Sequence, residues 1–211
     1  MVPRIFGPYE AIRRDYPIDE YLRDIAGSGV VKSVYVQTNW APDAAEDEVA
    51  WVQGVADAHG WPHAIVGYTD LMAGDARRAL DKLVTYPLVR GIRMQLHWHD
   101  NEMYRFAKRP DLADDETFRR NFAGLAERGL SFDLQVFAGQ MEGAARLAAD
   151  FPDTTFILQH AGMLEDLSEE GRAAWRIGME QLAAQSNVVS KLSGLGTFIH
   201  RNDAAHIADV V

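Results

Sequence analysis

The sequence contains no cysteine, and this absence excludes three kinds of chemistry. A chain without thiols has no disulfide framework, no thiolate metal site and no cysteine nucleophile. It suits a reducing compartment, and we therefore predict a cytoplasmic protein.

Long apolar runs and clusters of basic residues are missing as well. No apolar stretch approaches the ~18 residues of a membrane span, and the N-terminal stretch MVPRIFGPYEAIRRDYP lacks the apolar core of a secretion signal. The formal net charge is −10, and the absence of a basic patch argues against nucleic acids and anionic membranes as partners. We expect a small-molecule substrate instead.

What the sequence does contain is an alternation of strand-like and helix-like segments in units of roughly 30 residues, as in βα repeats. This alternation predicts an α/β fold with a parallel sheet. In the second predicted helix, Trp51, Val52 and Val55 are expected to form the apolar face. The predicted strands cover residues 30–37, 63–68, 89–96, 130–137, 154–159 and 187–192, and the predicted helices cover 18–26, 43–59, 75–84, 116–128, 141–150, 168–185 and 202–211.

Two architectures fit this alternation, an open doubly wound sheet and a (β/α)8 barrel. No predicted strand is followed by the glycine-rich phosphate turns GxGxxG or GxxxxGK[ST] that a nucleotide-binding sheet would show. Polar residues instead follow several strands, which is typical of barrels, although the chain supplies only six of the eight strands. These residues are Gln37, Asp70, His97, Gln135, His160 and Ser193.

The segment VRGIRMQLHWH, residues 89–99, is the most informative part of the chain. Because successive strand side chains alternate between faces, Arg93, Gln95 and His97 should point in one direction. We interpret this face as the wall of a pocket; a solvated strand end is the alternative. The connection 97–113 that follows is long for a βα loop and rich in aromatic residues, so it is either a substrate lid or a surface elaboration.

Six motifs in order at the strand positions carry a family resemblance. They are VYVQ (34–37), AIVGYTDL (64–71), VRGIR (89–93), GLSFDLQV (129–136), FPDTTFILQHAG (151–162) and NVVSKLSGL (187–195). Together they resemble strands two to seven of the amidohydrolase-related TIM-barrel family. The most similar branch is that of the lactonases, with L-fuconolactonase and 2-pyrone-4,6-dicarboxylate lactonase.

The resemblance implies a (β/α)8 TIM barrel of the metal-dependent hydrolase type, incomplete, with residues 1–211 as a single domain truncated at both ends. The family's first strand carries His-x-His, and nothing before Val30 resembles it; His97 and His99 have this spacing but lie on a different strand. The family's eighth strand carries a catalytic aspartate, and the chain is expected to end before that strand. Family members use these groups to bind a metal or to activate water. The resemblance therefore leaves open one divalent metal such as zinc, or none.

The resemblance implies a role for His160, and the chemistry and strand positions of the other residues suggest theirs. His160 is expected to be the active-site histidine, and a metal ligand only if a divalent ion is bound. Arg93 is the second expected catalytic residue, since a guanidinium can hold a carboxylate or a developing oxyanion; its alternative is a structural pairing with Asp133. Lys191 is expected to point inward and pair with a carboxylate. The expected substrate-binding residues are Gln37, His97, His99, Gln135 and Ser193.

The function implied by the resemblance is hydrolysis of a small lactone, either a sugar lactone or a pyrone carboxylate. A metal-dependent decarboxylase of the same superfamily and a catalytically inactive barrel fragment are the alternatives. No GxSxG elbow follows a strand, which argues against a serine hydrolase. Six strands would leave two open edges, at residues 31–37 and 188–192, and such edges predict self-association.

Overall fold

The computed structural model describes residues 5–201 and 204–211, and its six strands form one parallel sheet. Each strand pairs with the next along the chain, in the order β1-β2-β3-β4-β5-β6. This sequential order is that of a βα barrel, so the predicted α/β fold and partial TIM barrel are confirmed. The strands are β1 (Val34–Val36), β2 (Ala64–Gly67), β3 (Val89–Ile92), β4 (Ser131–Leu134), β5 (Phe156–Leu158) and β6 (Val188–Ser190).

Helices connect the strands and cover the outer face of the sheet. Two of them begin at side-chain caps: Asp115 accepts a hydrogen bond from the backbone N–H of Thr117 at 2.8 Å, and Ser168 accepts one from Gly171 at 3.0 Å. The helices are α1 (Ile18–Ile25), α2 (Ala45–His59), α3 (Ala76–Leu83), α4 (Glu116–Phe122), α5 (Met141–Asp150), α6 (Glu169–Ala183) and α7 (Ala204–Val210). The first two residues of the predicted last helix, 202 and 203, lie outside the described residues.

The outer face of the sheet carries the hydrophobic core. Phe132 and Leu134 of β4 and Phe156 of β5 are fully buried there, and the ring of Phe122 in α4 stacks on that of Phe156 with 5.4 Å between centroids. Because strand side chains alternate, Asp133 and the residues that flank it by two positions point to the inner face. The fold thereby separates an apolar outer layer from a polar inner one.

The apolar face predicted for α2 is partly wrong. Trp51 is 66% exposed, whereas Val49 and Val52 are buried together with the charged residue Glu48. The carboxylate of Glu48 accepts hydrogen bonds from the Tyr35 hydroxyl at 2.8 Å and from the Thr38 backbone N–H at 2.7 Å. Helix α2 therefore attaches to β1 through a buried acid that hydrophobic periodicity alone does not find.

Strands β3 and β4 approach each other closely where Gly91 and Ser131 pair. Gly91 of β3 lies beside Ser131 of β4, and a Cβ atom on Gly91 would come within 2.3 Å of the Ser131 Oγ. Only glycine allows the two strands to pair here without a clash. Arg93 and Asp133 come two positions after Gly91 and Ser131, so they follow on the same inner face at this close approach of β3 and β4.

No helix in the described ranges 5–201 and 204–211 is long and apolar enough to cross a membrane.

Candidate active site at the C-terminal ends of the strands

His160 lies directly after β5, in a tight turn formed by Gln159–Gly162. Its Nδ1 is 3.1 Å from the Ser193 hydroxyl, which follows β6. Burial, together with the positive charges of Arg93 and Lys191, lowers the pKa of His160 to about 4. The imidazole is therefore neutral at physiological pH and held by one hydrogen bond at the strand ends.

Arg93 follows β3 and is held by contacts with Gln37, which follows β1. Its guanidinium donates to the Gln37 carbonyl oxygen, and the Gln37 side-chain amide lies 3.4 Å from the Arg93 carbonyl oxygen. The Gln37 Oε1 also accepts a hydrogen bond from the Asn39 backbone N–H at 2.6 Å. The structure thus brings Gln37 and Arg93 together, with the Gln37 amide engaged in protein contacts.

Asp133, the alternative partner predicted for Arg93, forms its hydrogen bonds with other residues in the structure. The Asp133 carboxylate is fully buried and accepts hydrogen bonds from the Lys191 ammonium at 2.7 Å and from the Gln159 amide at 2.9 Å. Lys191 also donates to the Gln159 Oε1 at 3.2 Å. The predicted inward lysine is confirmed, and Arg93 remains without a direct ion pair to Asp133 among the described residues.

Several buried polar atoms of this inner face have no hydrogen-bond partner in the described part of the chain. Buried polar atoms are nearly always paired, so a group of orphaned ones at strand ends indicates a place for a ligand or for water. The atoms are Arg93 Nε, His97 Nδ1, Asp133 Oδ1 and Gln135 Oε1. Two of the four are acceptors that require a donor from outside the protein.

His97 lies in an aromatic surround beside these polar atoms. Its ring is 5.5 Å from Phe106 and 5.7 Å from Phe137, and the side chain is almost fully buried. Burial lowers the pKa of His97 to about 4, with further contributions from the charges of Arg93 and His160. His97, His160 and Arg93 are therefore close enough to interact electrostatically, as the strand-end prediction requires.

His99 lies farther out on the same connection. Its Nε2 is 3.7 Å from a carboxylate oxygen of Glu165, and its ring packs 5.4 Å from Phe137. Burial, together with the neighbouring negative charge of Asp166, raises the pKa of the Glu165 carboxyl to about 7. With this pKa, Glu165 can donate or accept a proton near neutral pH. The sequence patterns did not predict Glu165, because it lies in a loop without periodicity.

Gln140 is a second residue that the sequence reading missed. Its side-chain amide accepts a hydrogen bond from the Trp98 backbone N–H and donates one to the Leu96 carbonyl oxygen, each at 2.8 Å. These contacts lie on the two sides of His97 and fix its backbone. Gln140 also donates to the Pro110 carbonyl oxygen at 3.0 Å, so the long connection 97–113 is attached at both ends. Whether this connection also acts as a lid stays a prediction.

The remaining strand-end aspartate does not join the group. The Asp70 side chain accepts a hydrogen bond from the Met72 backbone N–H at 2.9 Å, and Asp70 is exposed. The site is therefore formed by residues of β4 and residues that follow β3, β4, β5 and β6, with Gln37 after β1 in contact with Arg93.

The donors present do not fit a metal centre. Within residues 5–201 and 204–211, no three His, Asp or Glu side chains converge as metal ligands would. The charges that lower the pKa of His160 are the cations Arg93 and Lys191, and the same charges would repel a divalent ion. His160 was predicted to be a metal ligand only if a divalent ion is bound. The described residues provide no cluster of further ligands around it.

A comparison with known protein families identifies the chain. The amidohydrolase family model, Amidohydro_2, matches residues 2–211. The chain belongs to the amidohydrolase family. The resemblance stated from the six strand motifs is therefore confirmed over almost the whole sequence.

Similar proteins refine this placement. The chain is 40% identical over 194 residues to the uncharacterized protein y4mH of Sinorhizobium fredii, covering 92% of this chain and 65% of that protein. It is 29% identical over 189 residues to an L-fucono-1,5-lactonase of Burkholderia ambifaria, covering 89% of this chain and 60% of that enzyme. The chain thus spans about 60–65% of the length of these curated relatives.

The solved structures give the same result for the fold. A Burkholderia multivorans amidohydrolase with bound HEPES superposes with a TM-score of 0.76 at 26% identity, covering 95% of this chain and 68% of the other. A second crystal form of an amidohydrolase from the same species, with bound zinc, gives a TM-score of 0.75. The arrangement of strands and helices is that of an amidohydrolase barrel.

Proposed function

We propose that this protein is a hydrolase that opens a small lactone ring, and that its substrate is a hydroxylated sugar lactone. The observation that carries the proposal is the group of orphaned polar atoms beside the neutral His160. The similarity to an L-fucono-1,5-lactonase, at 29% identity, supports the same reaction class.

In this reaction water adds to the ring carbonyl carbon, and the bond between that carbon and the ring oxygen breaks. A negative charge develops on the carbonyl oxygen and must be stabilised by positioned donors. Arg93 supplies a guanidinium with an unpartnered Nε. The neutral His160 supplies its second ring nitrogen, because Nδ1 is engaged with Ser193. The proton released by water ends on the ring oxygen, which becomes the hydroxyl of the product acid.

The choice of a sugar lactone over a pyrone carboxylate follows from the acceptors. Asp133 Oδ1 and Gln135 Oε1 are buried acceptors without donors in the described residues. Sugar hydroxyls supply such donors, whereas the carboxylates of a pyrone supply none at neutral pH. A buried acceptor that stays unpaired opposes binding, so the site should discriminate in favour of hydroxylated rings.

The test is acid release by the full-length protein from a panel of sugar 1,5-lactones and from 2-pyrone-4,6-dicarboxylate, with and without a zinc chelator. Carbon dioxide release from aromatic acids is measured in parallel. We expect acid release from sugar lactones that survives chelation. Decarboxylation, dependence on zinc, or no reaction with any lactone would each contradict the proposal.

A variant of Gln135 sharpens the substrate assignment. Gln135→Leu removes an acceptor that has no protein partner, so folding stability should change little. The lost hydroxyl contact should raise KM for the sugar lactone about 10-fold, the equivalent of roughly 1.4 kcal/mol. An unchanged KM, measured from initial rates of acid release, would show that Gln135 does not contact the substrate.

A further inference from the structure

The backbone that carries His160 is strained. His160, Ala161 and Met163 have φ values of 55°, 49° and 53°, and Gly162 between them has φ 75°. Residues other than glycine rarely adopt this left-handed conformation, and such strain persists only where surrounding contacts fix it. The direction of the His160 side chain therefore depends on whatever holds this turn.

Two hydrogen bonds fix Ala161, the residue after His160. Its backbone N–H donates to the Lys191 carbonyl oxygen at 2.9 Å, which extends the pairing of β5 with β6. Its carbonyl oxygen accepts a hydrogen bond from the indole Nε1–H of Trp175 at 2.9 Å. Trp175 lies on α6 and is almost fully buried. The peptide group before Ala161 is thus held by the backbone of Lys191, and the peptide group after it by the side chain of Trp175.

Side chains of α5 and α6 also pack closely against the same turn. A Cβ atom on Gly162 would lie 2.3 Å from Met141 Cε, 2.9 Å from Met179 Sδ and 3.1 Å from Trp175 Nε1. The turn therefore has no room to move toward the helices. Trp175 belongs to this packing, and its indole N–H is the side-chain donor that fixes the orientation of the Ala161 carbonyl group.

We propose that Trp175 is a positioning residue for His160, acting through the carbonyl group of Ala161. Trp175 contacts the turn and not the substrate. Its indole N–H keeps Ala161 in the left-handed conformation, which directs the His160 ring toward Ser193 and the strand ends. The kinetic part of this inference rests on the proposed lactone hydrolysis; the structural part, the orientation of the His160 ring, does not.

The test removes the donor while keeping the ring. Trp175 is replaced in the full-length protein by 3-benzothienylalanine, which has the shape of tryptophan but no N–H, and separately by phenylalanine. Met179→Leu is the matched control. Met179 lies on the same helix as Trp175 and packs against Gly162, but it makes no hydrogen bond to the turn. Each protein is assayed for acid release, and its His160 ring is observed by NMR with 15N-labelled histidine.

We expect both Trp175 variants to remain folded, with kcat reduced about 10- to 100-fold, as misplacement of a reacting group by about 1 Å produces, and with KM changed less than 2-fold. The His160 ring signals should shift in both Trp175 variants and stay in place in Met179→Leu. Unchanged His160 signals in the benzothienyl protein would overturn the inference. So would an equal loss of kcat in Met179→Leu.

The two arms separate the inference from the function on which it draws. If the wild-type protein hydrolyses no lactone, the proposed function fails, and the NMR arm alone decides whether Trp175 orients His160. If the wild type is active and the benzothienyl protein keeps its full kcat, the positioning role fails while the lactonase function stands.

Discussion

The centre of the sheet and its two edges differ in how completely each strand is covered. In β4 and β5, Phe132 and Phe156 are fully buried, and the inner face holds a paired charge network. At the edges, Val31 is 79% exposed beside β1 and Val189 is 55% exposed in β6. The candidate site therefore lies on the well-packed part of the fold, where side chains are held rigidly.

The largest effect is expected at the centre. Asp133→Ala removes the partner of Lys191 and leaves its ammonium beside a buried space. Loss of one member of a buried pair costs 3–5 kcal/mol as a rule, and because the Lys191 side chain is 34% exposed, we expect about 2–3 kcal/mol. Urea unfolding measures it. The edge variant Val189→Ala is the comparison and should cost below about 1 kcal/mol; equal losses at both positions would remove the distinction between centre and edge.

A comparable effect is expected from Glu165, the half-buried acid after β5. The pKa of Glu165 is raised from 4.5 to about 7 in the folded chain. Its contribution to stability is therefore complete below pH 4.5 and is lost as the pH rises through 7, a loss of up to roughly 3 kcal/mol. Glu165→Gln should remove this loss, so the free energy of unfolding at pH 8 should rise relative to wild type.

The measurement is urea unfolding of both proteins at pH 5 and pH 8. His97 and His160 act in the opposite sense, since their pKa values are lowered to about 4 and their contribution is lost as the pH falls below 6.5. They are present in both proteins and cancel in the difference. The exposed Glu170→Gln is the control; a pH dependence that Glu165→Gln leaves unchanged would show that Glu165 ionises normally.

The smallest effect on stability is expected at the edges. We propose that the open edges at β1 and β6 promote self-association, because unpaired strand edges can pair with another chain. Val31→Lys and Val189→Lys place charges there and should change the stability by less than about 0.5 kcal/mol. Sedimentation velocity should show less association in the double variant. A wild-type protein that is monomeric at all concentrations would contradict this expectation.

The sequence was sufficient for the order and direction of the six strands, because β-branched segments alternate with helical ones at regular spacing. It overestimated strand lengths: residues 30–37 were predicted where β1 covers Val34–Val36. An edge strand pairs on one side only, so apolar residues such as Val30 and Val31 leave the ladder although their composition favours a strand.

The site was predictable where it follows strands and was missed elsewhere. Arg93 and His97 were predicted because strand periodicity places them at one end of the sheet, whereas the role of His160 came from the family resemblance. Glu165 and Gln140 depend on loops whose contacts are tertiary, and no local pattern marks them. Trp51 was assigned to the core on hydrophobicity alone, while the buried Glu48 makes the contact to β1.

We propose that His160 and Arg93 act together on one substrate at the ends of the strands. A double-mutant cycle tests it directly: acid release from the sugar lactone is measured for wild type, His160→Gln, Arg93→Lys and the double variant, with the exposed His59→Gln as control. We predict that each single variant loses about 10²- to 10⁴-fold in kcat/KM, and that the double variant loses far less than the product of the two. Losses that multiply fully, or a His160→Gln variant as active as His59→Gln, would contradict the account.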